Sequence, residues 1–179
     1  MPNPDALEGR ITRIARRVGE RGICLEPPLT EDCIRSFEAK CGCVLPEGYR
    51  AFLRYVGNGG AGPASYGLVP LGATPDDMSP AESRTWVELQ RVSRPFPFTK
   101  PWVWEDGNSS DEGTREQVED GTLHLGTDGC GQYWLLVVCG PERGNVWMLA
   151  DVGITHTMPK RDFLQWYEDW LDGVSEWWA

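Results

Sequence analysis

The chain is short of histidine, of long apolar runs and of cations toward its C-terminal side. Each shortage removes a class of function. Only His124 and His156 are present, so catalysis by a histidine-activated Cys or Ser has two bases to choose from, and no nucleophile elbow or Cys-His signature marks either. The longest apolar runs, such as Tyr133 to Cys139, fall far short of the roughly 20 residues that span a bilayer. The N-terminus "MPNPDALEGR" has no basic segment leading into an apolar one. The expectation is therefore no signal peptide and a cytoplasmic protein. Gly-Lys-Ser/Thr is absent, which excludes a P-loop. Six cysteines are present: Cys24, Cys33, Cys41, Cys43, Cys130 and Cys139. Cys41-Gly-Cys43 is tighter than the usual zinc spacing and no second ligand pair follows. Reduced, partly buried thiols are expected, with no metal site and no cofactor.

Cations are unevenly placed. Residues 1–100 hold 13 Lys and Arg against 12 Asp and Glu, whereas residues 101–179 hold 4 against 15. An acidic second part argues against nucleic acid and against an anionic membrane as partners, since both require a positive patch. It permits a basic protein partner reached with electrostatic steering. It is equally the ordinary means of keeping a protein in solution.

What is present is regular. A helix is expected from Pro4 to about Val18, capped by Asn3, with Leu7, Ile11, Ile14 and Val18 in one stripe. Arg10, Arg13, Arg16, Arg17 and Arg21 fall on its other faces and are read as a solvated surface. Thr30 caps a second helix to about Lys40, with Ile34, Phe37 and Cys41 inward and Gly42 as its stop. A third begins at Pro46 and carries Tyr49, Phe52, Leu53 and Val56 on one face. "SYGLVPLG" (65–72) reads as a short strand, and residues 76–92 as a helix bearing Trp86 and Leu89. The proline- and aromatic-rich 94–113 reads as an ordered loop. "TLHLG", "QYWLLVV" and "NVWMLA", divided by turn-forming residues, read as an antiparallel three-strand meander. Phe163, Trp166, Tyr167, Trp170 and Leu171 give a closing amphipathic helix. The boundaries are helices over about 4–57, a sheet region over about 65–150 and a closing helix over about 159–172. The fold class is α+β, an antiparallel sheet flanked by helices in a single domain.

Gly57-x-Gly59-x-x-Gly62 has dinucleotide-loop spacing in the wrong order. A helix precedes it and a strand follows, so a helix C-terminus with its partial negative charge would face any phosphate. These glycines are expected to stop a helix. Glu105, Asp106, Asp111, Glu112, Glu116, Glu119 and Asp120 crowd sixteen residues that contain only Arg115 as a cation. They lie on a polar, Gly- and Ser-containing stretch rather than on the rigid scaffold that a carboxylate-pair hydrolase requires, and they lack EF-hand spacing. They are the candidate surface for a basic partner.

"LPEGYRAFLRYVGNGG" (45–60) resembles the helix-to-loop signature of the SUKH superfamily, through Leu45-Pro46, Tyr49, Phe52-Leu53 and Asn58-Gly59. "LTEDCIRSFEAKCG" before it fits the same pattern. So does "LHLGTDGCGQYWLLVVCGPERGNVWML", with Gly126, Gly129, Gly131, Trp134 and Val146-Trp147. The resemblance runs over about residues 25–172 and is weakest over 73–120. It implies an α+β fold without enzymatic activity. The superfamily includes fungal cell-wall-synthesis regulators and many bacterial immunity proteins. The resemblance thus implies a binding module, either neutralising a cognate toxin, commonly a basic nuclease, or acting as an adaptor. No residue roles are carried over from it.

Overall fold

A computed structural model describes residues 4–76, 78, 91–104 and 112–174. Asn3, most of 76–92, Glu105, Asp106 and Asp111 fall outside them, as do Trp177 and Trp178, so the expected N-cap and the Trp86 helix are not addressed. Helix α1 runs Pro4–Glu20, α2 Glu31–Cys41 and α3 Glu47–Tyr55. Ile11 and Ile14 of the α1 stripe are buried, with Leu7 and Val18 packed at its margins. Thr30 Oγ1 accepts the N–H of Cys33 at 3.2 Å, and Gly42 closes α2 in the left-handed conformation. Both expectations for α2 hold. The closing helix α4, Phe163–Asp172, has Asp162 as N-cap and a left-handed Gly173 as its stop.

The sheet has five strands where three were expected. They are β1 Trp102–Val103, β2 Thr122–Gly129, β3 Gln132–Val137, β4 Val146–Ala150 and β5 Gly153–His156. The order is β1-β5-β4-β3-β2, and every pairing is antiparallel. Leu123 faces Leu136, Leu135 faces Trp147, and Ile154 lies between Leu149 and Trp102. The two missed strands are the shortest. β1 sits behind Pro101 in a stretch read as loop, where an edge position tolerates proline. β5 is four residues long and ends at His156.

Both faces of the sheet are covered, so "QYWLLVV" reads as an unbroken apolar run. Alternation sends Trp134, Leu136 and Val138 to the helical side, with Leu123, Leu125 and Val146. Leu135 and Val137 point the other way, onto Phe96, Phe98, Val118 and Trp147. Segments 94–104 and 112–118 thus cover the second face through Phe96, Phe98 and Val118. On the helical side, Phe163 meets Tyr49 and Phe52 edge-on, with centroids 4.7 and 5.1 Å apart. Trp166 meets Trp134 of the sheet at 5.4 Å.

"SYGLVPLG" is not a strand. Gly67 has φ 81°, which breaks the extended run. The segment still borders β2 through Tyr66 N–H to Thr127 O (3.2 Å) and Val69 N–H to Leu125 O (2.8 Å).

Candidate binding surface

The glycine loop is packed backbone, not a cradle. The N–H groups of Asn58, Gly60 and Ala61 donate to the carbonyls of Glu26, Leu68 and Cys24 at 2.9–3.0 Å, so these donors are taken. Gly57 is not the left-handed stop its position suggested. Positive φ falls at Gly59 and Gly60, and Val56 caps α3. Gly57 is needed for closeness instead, because a Cβ there would stand 2.7 Å from Leu25 Cβ. Tyr167 Oη donates to Ala61 O at 3.2 Å, which ties the loop to α4.

The acidic stretch divides. Glu112 opens a one-turn helix, Glu112–Arg115, and Glu116 is exposed. Glu119 and Asp120 do not belong to a solvated acidic loop, which corrects that reading at its C-terminal end. Asp120 is buried. Its Oδ1 accepts from Arg91 Nε at 2.8 Å, and Arg94 stands 3.8 Å away. Glu119 Oε1 is 3.0 Å from His124 Nε2, and its other oxygen is 3.9 Å from Arg91. The cause is the 91–98 segment. Val92 and Phe96 sink into the two cores and carry the flanking arginines onto these carboxylates.

The α1 arginines are a solvated face only in part: Arg13, Arg16 and Arg21 are exposed, whereas Arg10 and Arg17 turn onto α4. The Arg10 guanidinium reaches Glu168 at 2.7 and 3.0 Å and Asp162 at 3.1 Å. Arg13 reaches Glu168 at 3.1 Å. Arg17 donates to Leu171 O at 2.8 Å and pairs with Asp172. Burial works against the Arg10 charge. The hydrogen bonds and charges of Asp162 and Glu168 outweigh it, and the pKa rises above its ordinary value. Cations of the first hundred residues thereby answer carboxylates of the remainder. Much of the charge asymmetry is internal complementarity.

Both histidines are engaged. The His124 side chain is fully buried and lies edge-on to Tyr133 at 5.5 Å. His156 Nδ1 is 2.9 Å from Thr157 O, which makes that nitrogen a donor. All six cysteines are free thiols. Burial pushes the Cys43 thiol up to about 12, with Cys41 and Cys139 among the neighbours that add to the shift, so little thiolate forms at neutral pH. Among the described residues no group of three His, Cys, Asp or Glu is placed to hold a metal. No described helix is long and apolar enough to cross a membrane.

The concave regions among the described residues include three of note. A cleft of about 430 Å³ lies where α1, the start of α3 and α4 meet, lined by Arg10, Tyr49 and Asp162 among others. A groove of about 590 Å³ runs between α1 and α3 past Leu7, Ile11 and Tyr55. A third, about 670 Å³, lies beside the β2–β3 turn between Tyr66, Pro75, Asp76 and Cys130. The exposure of Tyr66 was not foreseen, because 65–72 had been read as a strand. Its one sequence signal was a large aromatic set between Ser65 and Gly67.

Helices layered on an antiparallel meander define an α+β domain. The chain belongs to the SMI1/KNR4 family (SUKH-1), whose model matches residues 28–172. No curated protein and no solved structure matches the chain. Helix α1 lies ahead of the matched region and is an addition to it.

Proposed function

We propose that this chain is a non-enzymatic, cytoplasmic immunity protein that neutralises a cognate basic toxin, of the nuclease kind, by direct binding. The observation that carries this is the family match over 28–172, since the superfamily resemblance implies a binding module used in this way. Two features are in keeping with it. His124 and Cys43, the groups best suited to chemistry, are respectively paired to Glu119 and kept protonated. Exposed carboxylates without a cation partner among the described residues, such as Asp76, Asp151 and Glu116, leave net negative charge on the surface. A basic toxin must carry positive charge to hold phosphates, and that charge is what this surface attracts.

The test is co-expression with basic proteins encoded beside this chain. The expected result is restored growth and a 1:1 complex by size exclusion with light scattering. Absence of both would refute the proposal. A stable complex with a housekeeping protein instead would favour an adaptor of the same fold.

A further inference from the structure

One end of the sheet holds carboxylates that no described cation pairs with, although Arg115 stacks on Trp104 there at 5.1 Å. It collects the β2–β3 turn, the β4–β5 turn and the end of β1, because all three lie at the same end of the antiparallel ladder. The 64–76 segment borders it. Segments 64–76, 102–104, 126–133 and 149–154 contain Asp76, Asp128 and Asp151 and no Lys or Arg. Elsewhere, as at Glu119, Asp120, Asp162, Glu168 and Asp169, carboxylates sit against arginines. Here Asp76 and Asp151 are exposed with no cation partner among the described residues. Asp128 accepts the Ser65 N–H at 2.6 Å and Trp134 Nε1–H at 2.9 Å. These are neutral donors, and no described cation pairs with it.

The same end carries exposed apolar side chains toward both edges of the sheet, Tyr66 beside β2 and Val103 on β1. Tyr66 is 78% exposed, Val103 68% and Val152 66%. The Tyr66 ring lies over Gly129, within 3.1 Å of where a Cβ would be, and the Asp151 carboxylate lies over Gly131 at 2.7 Å on the same measure. Trp104 N–H donates to Val152 O at 3.2 Å. Tyr66 is held from behind. Gly126 lets the 64–67 segment touch β2, since a Cβ there would fall 2.3 Å from Gly67 O and 2.7 Å from Ala64 Cβ. A rigidly backed aromatic beside a groove of about 670 Å³, rimmed by unanswered carboxylates, has the anatomy of a binding hot spot.

We infer that this sheet end is the docking surface for a basic protein partner. Tyr66 is the apolar anchor, and Asp76 and Asp151 steer and pair with the partner's Lys and Arg. This rests on the toxin-binding function proposed above and names its face. It moves the interface from the 105–120 carboxylates to Tyr66, Asp76 and Asp151.

Two probes separate the face from the function. The first is nona-arginine titrated into the isotope-labelled full chain at low salt and followed by amide shifts. Shifts should concentrate at 64–76, 128–132 and 150–153, and Asp76→Asn with Asp151→Asn should weaken them at least fivefold. Shifts centred on Glu8, Glu47 or Glu116 would overturn the inference, whatever the toxin result. The second is the toxin encoded beside this chain. Tyr66→Ala together with Asp151→Asn should raise Kd by roughly 30-fold or more. Glu8→Gln with Glu47→Gln removes two negative charges from the helical layer and should still leave Kd within about twofold. A complex that forms with the wild type and ignores Tyr66→Ala and Asp151→Asn would refute the face while leaving the function standing. No complex with the wild type would refute the function, and the nona-arginine map would still decide the face.

Discussion

Glu168→Gln tests whether ion pairs hold α1 to the rest of the molecule. Glu168 is buried in the α1–α4 seam, with its side chain 10% exposed, and takes three N–H contacts from Arg10 and Arg13. Gln keeps the shape, loses the charge and turns an amide NH2 toward a guanidinium. Breaking a fully buried pair costs about 3–5 kcal/mol. Arg13 is half exposed and Arg10 a quarter exposed, so water recovers part of that. About 2 kcal/mol remains, which for a chain of this length lowers Tm by about 4–8 °C. Circular dichroism melts at neutral pH provide the measurement. Glu20→Gln is the control, since its pair with Arg16 is more than half exposed on both sides and should cost under about 0.5 kcal/mol. Trypsin should cut the variant sooner after Arg21, as α1 lifts from α4. A Tm shift below about 1 °C with unchanged proteolysis would refute the reasoning and leave the Leu7–Val18 stripe as the whole attachment.

Three further outcomes follow from the same contacts. Asp120→Asn should cost about 3 kcal/mol, because it weakens the partner of a nearly buried Arg91. A urea midpoint equal to wild type would return Asp120 to the surface role expected from sequence. Gly126→Ala should cost about 2 kcal/mol by forcing the 64–67 segment off β2, and the near-UV signal of Tyr66 and Trp134 should change with it. An unaltered melt and spectrum would show that the segment yields freely. In a thiol titration with an aromatic disulfide at pH 8, exposed Cys24, Cys33 and Cys130 should react in the native state. Cys41, Cys43 and Cys139 should wait for denaturant, with Cys43 held back by its pKa of about 12. Six fast thiols would contradict the packing.

The legible parts were those in which one short segment settles its own conformation. Thr30 and Gly42 delimit α2 through local hydrogen bonds, and the spacing of Phe163, Trp166, Tyr167 and Leu171 can bury only one face of a helix. The α+β class and the superfamily resemblance followed from such segments in order. What escaped were elements that exist only through a partner. β1 and β5 are two and four residues long and become strands because Trp102 finds Ile154 and Ile154 finds Leu149. Gly57 matches a helix stop by position, yet its role is set by Leu25, which no local pattern reveals.

The sequence by itself determined the helices with their caps, the central meander, the bulk acidity and the absence of a phosphate loop, because each depends on residues near one another in the chain. Only the tertiary structure decided which charges are used up. Asp120 and Asp151 are equivalent in a sequence. Arg91 and Arg94 reach the first, and no described cation reaches the second, because Coulomb attraction depends on distance in space and falls off within a few ångströms of solvent. On that difference rests the inference that the binding surface is the sheet end of Asp76, Asp128 and Asp151, built around a tyrosine that the chain's own pattern assigns to a strand.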